Sequence, residues 1–424
     1  MAVIPLGFIA LLLLGVPIAY ILGGTTIIYL LLDNQSIMFN STPQRMFSGL
    51  LNYSLLAIPM FVFVGELMNS GGITKRLIDF SKVILGHFRG GLAYVNVLAN
   101  MFLASILGSA NAQTAMMSKV MIPAMEKEGY KRDFSGAVTV SSALMGPIIP
   151  PSLTFILYAV VAETSVSAMF LGGIIPGILL AIGFGLLIYF LALKEELPKS
   201  DKSNFKQVVS SFLAVIPALL VPTIILVGIL SGAFTATESS AVAALIALIV
   251  GKFFYRELEW KKIPEMLEKT AINSAIVTFM IAMAYIFGWV LTHERIPQTI
   301  GDFLISMTES PIVFLLLLNV LFFFIGMVME GIAALIILTP VLLPAAVNFG
   351  IDPVHFGIII CINLTIGLIT PPVGTALFIA SSIGEIKMEK LARTLIPFIC
   401  VAVFVLFIIT YIPATTQWLP GLFN

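Results

Sequence analysis

The runs GPIIPPS (146–152) and GLITPPV (367–373) constrain this chain more than any other feature. Each sets a glycine and a Pro-Pro pair inside a segment of membrane length, and the two stand 221 residues apart. Proline donates no N–H, and its ring clashes with the preceding helical turn. It also pushes the residue before it towards an extended conformation. Two in succession unwind a helix locally, so Pro150, Pro151, Pro371 and Pro372 are expected to be helix breaks. At membrane depth the freed carbonyls find no bulk water. Irregular backbone survives there only when it is buried in protein or lines a wet cavity.

Composition sets the surroundings. The 424 residues are 59% hydrophobic and 10% charged, with a mean hydropathy of +1.08. Soluble domains carry roughly 25% charged residues. The chain therefore reads as an all-α polytopic membrane protein set in a lipid bilayer. Its net charge is zero and it has no basic block, which argues against nucleic acid as a partner. Cys361 and Cys400, its only cysteines, both lie in apolar runs, so a disulfide framework is not expected. His87, His293 and His355 form no HExxH pattern, no GxxxxGK[ST] loop is present, and no Asp pair lies within a span. The inventory for acid–base or metal chemistry is missing, so a membrane-embedded enzyme is not the expectation. Without an ATP motif, energy has to come from an ion gradient or a partner.

Full spans are expected near 3–31, 51–70, 168–193, 208–231, 236–255, 272–292 and 393–413. Residues 91–125 and 311–346 differ, because SILGSANAQ (105–113) and GMVMEG (326–331) interrupt them half-way. Each reads as a re-entrant helical hairpin, followed by a helix broken at its Pro-Pro, 134–162 and 355–383. The stretches 75–89 and 298–307 read as amphipathic helices at the interface. The polar segment 194–206 is a loop.

Sliding the chain over itself by 221 residues matches eleven of forty pairs from 120/341 onward, among them Gly146/Gly367, Pro150/Pro371, Pro151/Pro372 and Thr154/Thr375. A shift of 223 pairs Gly65/Gly288 and Asp79/Asp302 upstream. Each half thus reads span, surface helix, hairpin, broken helix. Lys75, Arg76, Lys82 and Arg89 mark the first surface helix as cytoplasmic, whereas its counterpart carries only Arg295. The halves are inverted copies, which is a secondary-transporter architecture with binding near the midplane.

The breaks therefore suit ion binding. A Na+ ion prefers oxygen ligands, and the tips facing the breaks add Ser105, Gly108, Ser109 and Asn111 in the first half and Gly326 and Met329 in the second. Half-helix N-termini at the same breaks attract an anionic substrate group. Glu330, an acid at membrane depth, is either functional or caps its helix. Glu238 in TATESS reads as a helix N-terminal cap. Arg295 either meets substrate or anchors the interface, and Ser142 lies about one turn before the first break. Asn96, Asn100 and Asn363 read as interhelical hydrogen-bond groups. Trp289 reads as an interface anchor.

The runs 71–102, SGAFTATESSAVAA (231–244), GPIIPPS and GLITPPVGTALF resemble the large membrane subunit of tripartite ATP-independent periplasmic (TRAP) transporters, in order and over essentially the whole chain. The resemblance implies an elevator mechanism, Na+ coupling, a small four-span membrane subunit and a periplasmic substrate-binding protein. It also implies an organic acid substrate, such as a C4-dicarboxylate or sialic acid, and the bacterial inner membrane. Two Na+ sites follow from it. Site one would use Ser105, Gly108, Ser109, Gly146 and Ile149, and site two Gly326, Met329, Gly367, Thr370 and Val373. A substrate cavity would involve Asn111, Ser142, Glu330 and Arg295. Residues 109–113 depart from the family, because Asn111 and Gln113 are neutral where many relatives carry an acid. The expected division is scaffold helices at 1–70, a cytoplasmic arm at 71–90 and the first transport half at 91–162. Connecting and scaffold helices at 163–292, a periplasmic arm at 293–310, the second transport half at 311–383 and a C-terminal helix at 384–424 complete it. A stand-alone symporter of the same architecture is the competing reading, distinguished by independence from a soluble partner.

Overall fold

The computed structural model describes residues 3–33, 36–194, 197–199 and 204–423. Residues 195–196 and 200–203 of the loop expected at 194–206 lie outside them. The described residues are helical or irregular, with no strand. Among them, eight helices are long and apolar enough to cross a membrane. They include Val166–Lys194, Phe205–Leu230, Ile263–His293 and Met388–Tyr411. A helix of 20 residues spans about 30 Å, so the longest of these exceed one bilayer core and must tilt or project.

The expected single span at 3–31 is corrected to two helices, Val3–Leu13 and Ile18–Leu32. Gly15 takes a left-handed φ of 72° and Pro17 sits at the start of the second helix. A left-handed residue reverses the chain, and Pro17 prevents helical hydrogen bonding across the join. Hydropathy is blind to this, because Leu14–Pro17 is as greasy as its flanks. Ser36–Leu50 is a further helix, outside the expected spans. Its apolar residues alternate with Asn40, Gln44 and Arg45, which lowers its hydropathy below that of a span.

Both hairpins are present. The first consists of Gly91–Leu107 and Ala110–Lys127, the second of Pro311–Val328 and Gly331–Asn348. Each turns in two residues. Gly108 takes φ 57° at the first tip, whereas Met329 is extended at the second. The broken helices follow as expected. Arg132–Ser142 ends in a 3-10 turn and resumes at Leu153–Val161, and Pro353–Gly367 resumes at Thr375–Ile383. Pro150 and Pro151 thus fall in the first gap, and Pro371 and Pro372 in the second. The surface helices are Ile73–Leu85 and Ile296–Met307.

What holds the first break in place is close packing by glycines. On Val166–Lys194, a Cβ built on Gly173 would fall 2.5 Å from the Ile148 carbonyl oxygen, and one on Gly177 would fall 2.3 Å from Ile149 Cγ1. Two small residues four apart let the backbones approach, as at other membrane helix crossings. The repeat makes the two Pro-Pro pairs look equivalent, and the structure corrects that. Pro150 and Pro151 are buried with the rest of the first break, whereas Pro371 is only half-buried and Pro372 and Val373 are exposed. The reason is packing: Val166–Lys194 lies across the first break, while the second turns its Pro371–Val373 edge outward.

Candidate functional site

Each hairpin tip abuts the break of its own half. A Cβ on Gly108 would lie 3.2 Å from Leu153 N and 3.4 Å from the Pro151 carbonyl oxygen. One on Gly146 would lie 3.3 Å from the Ser109 carbonyl carbon. In the second half the backbones touch, because a Cβ on Gly367 would lie 2.3 Å from the carbonyl carbon of Gly326. The structure thus brings Gly108, Ser109 and Gly146 together in one junction, and Gly326 and Gly367 in the other. Ser105 is buried one turn before the first tip. Ile149 points its side chain onto Gly177, leaving its backbone for the junction.

The broken segments re-use some carbonyls in turns. Ile148 N and Ile149 N donate to the Met145 carbonyl at 3.1 and 2.9 Å, and Gly146 N to that of Ala143 at 3.1 Å. In the second break Thr370 N donates to the Gly367 carbonyl at 3.0 Å, and the Thr370 hydroxyl to that of Ile366 at 2.8 Å. The Met145 carbonyl thus accepts twice, as does that of Ile366, which also takes Ile369 N at 3.2 Å, whereas the Ala143 and Gly367 oxygens accept once in these turns and keep a lone pair. Pro371 and Pro372 follow directly and carry no N–H to extend the turn. Val373 is 39% exposed and stands at the outer edge of its junction.

Between the two tips lies a cavity of ≈ 30 Å³ lined by Ser109, Asn111, Thr154, Glu330, Cys361 and Thr365 among others. It holds about one water. Glu330 caps the helix behind the second tip, accepting from Ala333 N at 3.1 Å, and also lines this cavity. Asn111 accepts from the Thr375 hydroxyl at 3.1 Å, which ties the first tip to the second broken helix. Residues 264 positions apart in sequence are joined there. Of the expected cavity residues, Asn111 and Glu330 are in place. Ser142 is fully buried beside the first break and does not line this cavity, and Arg295 is exposed on a left-handed residue at the start of its surface helix.

A different arginine, Arg45, borders open space. A cavity of ≈ 520 Å³ lies between Ser36–Leu50 and Ile263–His293 on one side and Leu153–Val161 and Gly331–Asn348 on the other. Arg45 lines it, its guanidinium 5.0 Å from the centroid of the Trp289 ring. Trp289 therefore forms a cavity wall as well as lying near a helix end. Nothing in the sequence singles out Arg45, because the helix that carries it lacks the hydropathy of a span.

Buried amides link the helices around the junctions. Asn96 donates to the Thr139 hydroxyl at 2.7 Å, Asn100 to Asn96 Oδ1 at 2.7 Å and Gln113 to Asn100 Oδ1 at 2.8 Å. In the second half Asn363 donates to Asn319 Oδ1 at 2.8 Å, and Asn319 to the Thr410 hydroxyl at 3.1 Å. Interhelical bonding is thus the role of Asn96, Asn100 and Asn363. Thr235 and Glu238 form a capping box, with Glu238 N 3.2 Å from the Thr235 hydroxyl and Thr235 N 2.8 Å from Glu238 Oε2.

Residues 6–415 match the family model of the tripartite ATP-independent periplasmic transporter, DctM component. The chain is 39% identical over 421 residues to the sialic acid TRAP transporter large permease protein SiaM of Vibrio cholerae, covering 98% of this chain and 97% of that one. It is 38% identical over 377 residues to the C4-dicarboxylate TRAP transporter large permease protein DctM of Pseudomonas aeruginosa, covering 89% and 88%. With the 2,3-diketo-L-gulonate TRAP transporter large permease protein YiaN of Escherichia coli the identity is 37% over 403 residues, covering 94% of each. Among solved structures, the YdaH transporter of Alcanivorax borkumensis aligns with a TM-score of 0.69 over 91% of this chain and 90% of that one, at 13% identity, a likeness of fold.

Proposed function

The chain belongs to the tripartite ATP-independent periplasmic transporter family as its DctM component, and from that premise we propose that it imports an organic acid anion across a bacterial inner membrane, coupled to Na+. It is a transport protein rather than an enzyme, like the permeases it resembles. The observation that carries the proposal is the pair of tip–break junctions, one per half, with a small polar cavity between them.

Na+ binds at the two junctions, at Ser105, Gly108, Ser109, Gly146 and Ile149 and at Gly326, Met329, Gly367, Thr370 and Val373. Carbonyls and hydroxyls there supply the hard oxygen ligands the ion prefers. The acid binds between the tips, near Asn111 and Glu330. A cavity of ≈ 30 Å³ is far smaller than the several hundred needed for a sugar acid, so the tips separate to admit it. Residues 91–162 and 311–383 move together as an elevator against the remaining helices, with 71–90 and 293–310 as arms on opposite faces. The positive-inside distribution puts the Arg45 cavity near the outer face, where the acid arrives. A periplasmic binding protein delivers it. A small membrane subunit covers part of the exposed apolar surface, which includes Phe190, Leu193 and Leu213.

The relatives named above support a carboxylate substrate. Sialic acid, C4-dicarboxylates and 2,3-diketo-L-gulonate are all carboxylate anions of small size. The test is uptake of radiolabelled sialic acid, succinate and a sugar acid into proteoliposomes, under an inward Na+ gradient, with and without the small subunit and the soluble binding protein. Uptake of one acid that needs both Na+ and the binding protein is the expected result. Uptake without the binding protein would move the chain to the stand-alone symporters, and uptake indifferent to Na+ would overturn the coupling.

A further inference from the structure

We infer that the side-chain oxygen of Gln113 is a ligand of the first cation site, held in place by a relay of buried amides. This inference rests on the Na+ reading of that junction. Gln113 is fully buried, and its Oε1 takes no hydrogen bond among the described residues. An amide oxygen left so in a protein interior is costly unless something else satisfies it. Its position is informative. A Cβ built on Gly146 would fall 2.5 Å from Gln113 Oε1 and 3.3 Å from the carbonyl carbon of Ser109. The oxygen therefore stands inside the junction, beside the two residues whose backbone forms it.

The relay fixes which way the amide faces. Gln113 Nε2 donates at once to the Asn100 backbone carbonyl at 2.6 Å and to Asn100 Oδ1 at 2.8 Å, both obligate acceptors, so nitrogen and oxygen cannot exchange places. Asn100 donates on to Asn96, Asn96 to Thr139, and the Thr139 hydroxyl to the Ser135 carbonyl at 2.7 Å. Each donation makes the amide behind it a stronger acceptor, and the last acceptor in the line is Gln113 Oε1. Unpartnered hydroxyls of Thr114 and Ser142 are buried on the same two segments.

The ligand is neutral, and that has a consequence. A monovalent cation held by carbonyls, hydroxyls and an amide leaves the junction with a net charge of +1. The cavity beside it is where a carboxylate would bind, so occupancy by the cation favours the anion. Asn100 and Asn96 are positioning residues in this scheme.

The test uses the purified full chain and reads Na+-dependent thermal stabilisation in detergent, and Na+ half-saturation and substrate KM of uptake with its partners. Gln113→Met keeps the length and removes the oxygen, and should raise the Na+ half-saturation about tenfold in both assays. Gln113→Glu keeps an oxygen but cancels the ion's charge. It should leave Na+ half-saturation at or below the wild-type value while raising substrate KM several-fold. Asn100→Leu removes one of the two acceptors that orient the Gln113 amide and leaves the backbone carbonyl, so it should give a smaller rise in Na+ half-saturation than Gln113→Met. An unchanged Na+ response in Gln113→Met, with a responsive wild type, would overturn the inference and leave the coupling standing. A wild type that ignores Na+ in both assays would remove the reading beneath it. If Gln113→Met does not assemble, the opposed shifts expected of Gln113→Glu decide, and their absence overturns the inference.

Discussion

Substituting Gly367 by alanine puts the tip–break contact to its most direct test. The added methyl would meet the carbonyl carbon, Cα and carbonyl oxygen of Gly326 at 2.3, 2.5 and 2.6 Å. All three are backbone atoms, so no rotamer change relieves the clash. Restoring an ordinary contact of 3.4 Å needs the second tip and its break to part by about 1 Å. Overpacking of this kind costs about 1–3 kcal/mol. The functional cost is larger, because a bound group tolerates a displacement of only about 0.5 Å in its ligands. Na+ half-saturation for uptake should rise about ten- to a hundredfold, with a smaller loss of thermal stability. Gly185→Ala is the control. Nothing lies within 4 Å of a Cβ there, and a helical Gly→Ala change is expected to be neutral or stabilising by up to about 1 kcal/mol. The assay is Na+-titrated uptake in proteoliposomes beside a melting curve in detergent. A Gly367→Ala protein with wild-type Na+ half-saturation would refute the reasoning, because it would show that the second junction can open by an ångström without consequence.

Arg45→Gln should raise the KM for the acid about tenfold with kcat little changed, measured by initial uptake rates, whereas Arg295→Gln should leave both alone. Thr235→Ala removes the cap of Ala236–Ile249 and should lower stability by about 1 kcal/mol in a thermal melt, without altering Na+ half-saturation. Asn319→Leu removes one of the two acceptors of Asn363 Nδ2, leaving the backbone carbonyl of residue 319, and should cost about 1 kcal/mol in the same melt. Thr375→Val breaks the bond that joins the first tip to the second broken helix. It should slow uptake at saturating substrate while sparing stability, since the bond is only half-buried.

The amino-acid sequence determined the repeat, the two hairpins and the two breaks, and with them the neighbourhood of both candidate cation sites. Glycine and proline act on the backbone within a turn of where they stand, so Gly146, Gly367 and the Pro-Pro pairs could be read without knowing what packs against them. The capping roles of Glu330 and Glu238 were legible for the same reason. Hydropathy placed the long spans, but it passed over the turn at Gly15 and Pro17, since a reversal made of apolar residues leaves no trace in polarity. The rest depended on which segments meet. Identical Pro-Pro pairs end up differently covered, Pro150 buried under the packing of Val166–Lys194 and Pro371 half-open. That Gln113 faces Gly146, that Asn111 accepts from Thr375, and that Arg45 rather than Arg295 lines the larger cavity are likewise facts about contacts between elements distant in sequence. A polar side chain in an apolar run announces that it needs a partner, and only the packing of helices decides who the partner is.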